Sequence, residues 1–158
     1  MAVRTLRDDE REWVRSLMRD SWGDEIVVAH GVVYRPHTLP AFVAMDDDGE
    51  RVGSATYTIE GSACEIVTID SLVEGSGHGR AMVEAVAEVA RGAGCTRLWL
   101  ITTNDNRRAL GFYRALGFEV AAIREGAVVE ARKLKPSIPL VSEDGVPITD
   151  EIELELRL

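Results

Sequence analysis

Three glycines at alternate positions, Gly75, Gly77 and Gly79 in VEGSGHGRAM, stand between a strand-like stretch and a helix-like one. Glycines at such a junction admit positive φ and let the backbone approach a ligand closely. Free N–H groups at the helix start, aided by its dipole, then favour phosphate oxygens. The chemistry this offers is an anion cradle, against the plainer alternative of a glycine-rich turn. Two common phosphate motifs fail here. A GxGxxG fingerprint starting at Gly75 or Gly77 needs glycine at Arg80 or Met82, and a P-loop needs GxxxxGK followed by Ser or Thr. A second signal lies in NDNRRALGFYRALGF, residues 104–118, which opens on cap-type residues and strings Asn106, Ala109 and Tyr113 along one helix. Tyr113 falls about two turns after Asn106 and on its side of the helix. Taken alone, Phe112 and Tyr113 are more often core aromatics than catalytic groups.

The elements that must position these residues follow from periodicity. Residues 3–6 read as a short strand and 8–19 as a helix with acids in its first turn. Residues 25–34 fit either one bent strand or a loop carrying two short pieces. Residues 41–45, an acidic turn at 46–50, and 52–59 read as a hairpin that continues through Gly61 and Ser62 into 63–69. Residues 80–93 form an amphipathic helix stopped by Gly94, and 96–102 carry the near-continuous apolar run of a strand covered on both faces. A helix over 107–116 ends at Gly117 and leads to a strand over 118–123. Ile152, Leu154, Leu156 and Leu158 alternate with charged residues, which predicts a half-exposed final strand. Residues 125–150, with Pro136, Pro139 and Pro147, make a connecting arm well beyond the usual ~2–6 residues. Such an arm is either a flap over a pocket or a surface segment packed on a partner chain.

With 158 residues, 46% hydrophobic and 28% charged, the chain has the composition of one globular domain, and residues 1–158 are expected to form it. No apolar run reaches the ~18 residues of a membrane span and no secretory leader is visible, so a cytoplasmic location without membrane partners is expected. A net charge of −9, from 18 basic and 27 acidic residues, argues against nucleic acid as a partner. The charge is uneven, with bases concentrated in 107–135 and acids in 141–158, so a local basic patch remains available to a small anion. Cys64 and Cys95 lack CxxC or His spacing and read as small buried hydrophobes, with no metal site expected.

Together the two signals resemble the GNAT superfamily of acyl-CoA-dependent N-acyltransferases, an uncharacterised bacterial branch of it. That family's Arg/Gln-x-x-Gly-x-Gly/Ala motif matches Glu74 to Gly79 in both required glycines but has Glu74 where a basic or amide residue is usual. Its Asn-x-x-Ala-x-x-x-Tyr motif followed by Gly-Phe matches at Asn106, Ala109, Tyr113, Gly117 and Phe118. The resemblance implies an α/β (α+β) fold. Its mixed, mostly antiparallel central sheet of about 6–7 strands would be flanked by helices and splayed between the fourth and fifth strands. It implies acetyl-CoA as co-substrate, with Ser71, Leu72 and Val73 along the pantetheine. Gly75, Ser76, Gly77, His78, Gly79 and Arg80 would hold the pyrophosphate, and Asn106 the pantetheine arm. The acidic Glu74 would weaken that affinity.

The reaction so implied is direct transfer of an acetyl group to an amine of a small molecule or peptide, without an acyl-enzyme. The alternative is a non-catalytic CoA-binding or regulatory module of the same fold. A phenol, with a pKa near 10, stays protonated at neutral pH, so Tyr113 is the implied donor to the departing thiolate. CEIVT resembles a strand of the histone acetyltransferase branch, which makes Glu65 the implied base, since desolvation strengthens a carboxylate as a base. Asp70, Asp105, His30 and His37 are alternatives, and His78 fits a local donor better than a catalyst. A homodimer is compatible with the terminal strand and the arm.

Overall fold

The computed structural model describes residues 2–158. Its strands are β1 (Ala2–Thr5), β2 (Val27–Ala29), β3 (Val32–Tyr34), β4 (Ala41–Met45), β5 (Arg51–Glu60), β6 (Ala63–Ser71), β7 (Arg97–Thr103), β8 (Glu119–Arg124) and β9 (Glu151–Arg157). Its helices are α1 (Arg11–Trp22), α2 (His78–Gly92), α3 (Arg107–Ala115) and α4 (Ala127–Leu134). Seven strands form one sheet in the order β1-β4-β5-β6-β7-β9-β8, and β2 and β3 pair separately. Within the large sheet only β6 and β7 run parallel. The mixed, mostly antiparallel sheet flanked by helices is the one the resemblance implied.

The splay lies between β6 and β7. These strands pair from Ala63 and Arg97 only as far as Ile66 and Leu100, although β6 runs on to Ser71 and β7 to Thr103. Beyond Ile66 the β7-facing amides of β6 therefore have no strand partner. Against β5 the register of β6 jumps from Tyr57–Ile66 to Thr56–Thr68, which leaves Val67 as a bulge. The bulge reverses the alternation of side chains: Glu65 and Asp70, five residues apart, both reach the face that carries α1, β2 and β3. Ile66 and Ile69 pack on the opposite face with α2 and α3.

Two cores hold these faces. On one, Met82, Val83, Val86, Ala87 and Ala90 of α2 repeat at helical spacing and meet Cys64, Leu98, Tyr113 and Leu154. On the other, Val14 and Met18 of α1 pack with Val27, Val43 and Val67. Both cysteines are buried and unpaired, and burial pushes the Cys64 thiol up to about 12.

One open reading is decided and two are corrected. Of the two alternatives for residues 25–34, the two short pieces are found, paired as the antiparallel ribbon β2–β3 and turning at His30 and Gly31. The arm contains α4, opened by Gly126 in the left-handed region and buried through Val128 and Ala131; eight residues are too few for a clear helical period. The final strand β9 is not half-exposed, because it is inserted between β7 and β8. Glu151 to Leu154 are all buried, and Glu153 is neutralised by Arg97 and Arg124 from the flanking strands. Among the described residues, no helix is long and apolar enough to cross a membrane.

Candidate active site

Two clefts open where β6 and β7 part. The first, about 370 Å³, is walled by the end of β6, the glycine turn and α3. Gly75 and Gly77 have φ of +69° and +83°, and a Cβ at Gly75 would touch nothing within 4 Å. What they supply is backbone conformation, which side chains rarely adopt. Gly77 is the N-cap of α2, so the turn delivers the amide end of that helix to the cleft. Gly79 answers a different need, since a Cβ there would lie 3.2 Å from Phe112 Cζ where α2 closes on α3. Ser76 Oγ braces the loop, donating to the Val73 carbonyl at 2.7 Å and lying 2.6 Å from His78 Nδ1.

Of the sequence-predicted cofactor residues, Ser71, Val73, Gly75, Ser76, Gly77, Gly79, Arg80 and Asn106 line this cleft. Leu72 is 55% exposed and outside the lining, and His78 is buried behind the turn, so neither side chain forms the wall. Glu74 does not stand as an isolated acid at the mouth: Arg108 of α3 pairs with it and holds its carboxyl below the usual range. The cation that the motif lacks at position 74 thus arrives from α3. Three of the other bases of 107–135 are engaged elsewhere: Arg124 pairs with Glu153, Lys133 with Glu130, and Arg132 holds the carbonyls of Ile138, Pro139 and Ile148.

Tyr113 is 4% exposed at the cleft's inner end, wedged edge-on against Phe112 and Phe118. Burial, with the nearby Asp70 carboxylate, pushes its phenol pKa up, so the hydroxyl keeps its proton throughout the neutral range. Asn106 caps α3 by accepting the Ala109 N–H at 3.1 Å, which leaves its NH₂ as the donor a ligand can use.

The second cleft, about 380 Å³, lies on the α1 face and shares Asn106 with the first. Glu65 lines it at 4% exposure, accepting the Tyr34 hydroxyl at 2.6 Å and lying 3.0 Å from His30 Nε2. His30 is held from three sides. Its ring packs on Trp99 at 4.9 Å, its N–H donates to Glu151 at 3.1 Å, and its φ of 40° is unique among the described non-glycine residues. A β-branched-free turn residue tolerates that region at a cost of about 1 kcal/mol or more, which the Glu151 and Glu65 contacts offset. Tyr34, Glu151, Trp22 and Lys135 were not legible as site residues, because ribbon, final strand, α1 and arm meet here only in three dimensions. Asp105 accepts the Thr103 hydroxyl, and His37 sits beside Arg15 on α1, neither in contact with Glu65.

Asp70 lines neither cleft; the Trp22 indole N–H lies 3.0 Å from both its oxygens. Burial pushes its carboxyl up from 3.8 to about 6, against the pull of that hydrogen bond. An acid with a raised folded-state pKa favours folding below its unfolded value. That advantage fades as pH climbs through about 6, because the unfolded chain then ionises more readily. Asp70→Asn is therefore expected to stabilise the protein at pH 7.5 by about 1–2 kcal/mol and to match the wild type near pH 4, read by urea denaturation at both. An equal difference at the two pH values would remove the burial argument.

Comparison with known proteins agrees with this geometry. The sequence profile described as "Acetyltransferase (GNAT) family" matches residues 4–118. The chain is 44% identical over 131 residues to the uncharacterized protein YdhI of Bacillus subtilis, covering 83% of this chain and 82% of that one. Among solved structures, an IAA acetyltransferase from Bacillus cereus superposes with a TM-score of 0.73 at 19% identity, covering 99% of each chain. A Bacillus subtilis acetyltransferase in complex with CoA gives 0.68 at 20% identity, again over 99% of each.

Proposed function

The chain belongs to the GNAT acetyltransferase family, and from that premise we propose that it transfers an acetyl group from acetyl-CoA directly to the amine of a small molecule or peptide. The observation that carries this reading is the splay of β6 from β7. It leaves a glycine-turn cleft with a protonated phenol on one face and a carboxylate cleft on the other, joined at Asn106.

The chain's own groups divide the work. The amides of the glycine turn and the α2 N-terminus bind the pyrophosphate, and Asn106 orients the pantetheine arm. The unpartnered β6 amides after Ile66 are placed to stabilise negative charge on the thioester oxygen. Glu65, backed by His30 and Tyr34, takes the proton of the acceptor amine, and Tyr113 supplies one to the sulfur as it departs. Ammonium and thioester thus become amide and thiol: of the two protons the nitrogen loses, the one taken by Glu65 passes to solvent, and the one lost as the intermediate collapses restores the proton that Tyr113 gave to the sulfur.

Acetyl-CoA at about a hundredfold over its Kd is expected to raise the melting temperature by about 5–10 °C, with NAD and ATP doing nothing comparable. Release of free thiol from acetyl-CoA in the presence of a panel of amines then reads catalysis. A thermal shift without thiol release would leave a CoA-binding module, and no shift would remove the reading altogether.

A further inference from the structure

Among the side chains that line the second cleft, Lys135 is the one cation. It follows α4 within the arm, is 7% exposed, and donates from Nζ to the Ile26 carbonyl at 2.9 Å. That carbonyl is its one acceptor among the described residues, and no carboxylate stands within ion-pair distance of it; Asp24 acts on it only through space. Burial accordingly lowers its pKa from the ordinary lysine value. A buried ammonium without an anion is costly, and such charges in folded proteins are as a rule paired. The same cleft holds two buried carboxylates, Glu65 and Glu151, yet neither is spent on Lys135. Both are engaged at His30 instead. The cleft therefore keeps acid and base apart, and its volume of about 380 Å³ exceeds what an amino acid needs. Ser137 and Thr102 add hydroxyls to its lining.

We propose that Lys135 is the recognition group for a carboxylate on the acceptor, so that the substrate is a small amino acid or a close derivative whose amine faces Glu65. The proposal rests on the acetyltransferase reading and narrows its acceptor. The arm that carries Lys135 is then part of the acceptor site, and the ligand's carboxylate completes the ion pair that the protein leaves open. A peptide amine without a nearby carboxylate would leave the ammonium buried and unpaired, and would be the poorer substrate.

The test uses the full chain with acetyl-CoA and matched acceptors: the standard amino acids, and amines lacking the carboxylate, such as phenethylamine for phenylalanine and 1,5-diaminopentane for lysine. At least one amino acid is expected to exceed its matched amine in kcat/KM by about tenfold or more. In Lys135→Met that ratio falls toward one, the change residing in KM for the amino acid; a merely structural lysine would lower both members of the pair together. The wild-type panel stands by itself should the variant fold poorly. Amines used as well as or better than their amino acids would overturn the proposal, as would a panel in which acetyl-CoA gives its thermal shift and no amino acid is turned over. Loss of the shift itself would instead strike the acetyltransferase reading.

Discussion

Tyr113→Phe is expected to lower kcat by about tenfold to a thousandfold while leaving the affinity for acetyl-CoA within about twofold. The substitution deletes one oxygen from a side chain that is otherwise a packing element, edge-on to Phe112 and Phe118. Phe keeps both ring contacts, so neither α3 nor the wall of the first cleft has a reason to move. What disappears is a proton donor that burial and Asp70 keep protonated at every pH at which the enzyme would work. The leaving thiolate needs that donor only as the C–S bond breaks, so the loss falls on the transition state and spares ground-state binding. Steady-state kinetics paired with calorimetry on CoA reads both numbers. Unchanged kcat would remove Tyr113 from the chemistry, and a parallel loss of affinity would reassign it to shaping the cleft.

The parts of this site that could be read from the chain are those whose residues are close in sequence. The glycine turn, with Gly75 and Gly77 in left-handed conformations, and the Asn106-Ala109-Tyr113 helix are each specified by local chemistry, and the structure puts them on one cleft. The strands of the sheet were legible because they alternate or run apolar over lengths that leave few other choices, while their assembly into one mixed sheet came from the family resemblance. What could not be read depends on pairing partners. The Val67 bulge is visible only in the register against β5, yet it decides that Asp70 shares a face with Glu65. The buried acids of β9 have the sequence pattern of an exposed edge, and become interior only because β9 inserts between β7 and β8. Glu74 reads as a defect until Arg108 is seen beside it, 34 positions along the chain. Lys135 lies in a Pro-rich arm whose composition predicts nothing about burial.

Glu65→Gln is expected to cost about a hundredfold or more in kcat/KM. The amide is nearly the shape of the carboxylate and its oxygen still accepts the Tyr34 hydroxyl, so the His30 ribbon and the cleft stay in place. Only the capacity to take a proton is lost. That distinction gives the variant a signature beyond slow turnover. An alkyl amine arrives as an ammonium and must be deprotonated before it attacks, whereas a weakly basic acceptor, such as an arylhydrazine or an acyl hydrazide, is already neutral at pH 7.5. The defect in Glu65→Gln should therefore shrink by about tenfold or more with the weakly basic acceptor, provided acetyl-CoA stabilises wild type and variant equally. If the defect is the same for both acceptors, Glu65 positions the amine without deprotonating it. If turnover matches the wild type, the base lies elsewhere on this face, and Glu151, which lines the same cleft, and Asp70, in contact with Trp22 and close to Tyr113, are the carboxylates left to serve.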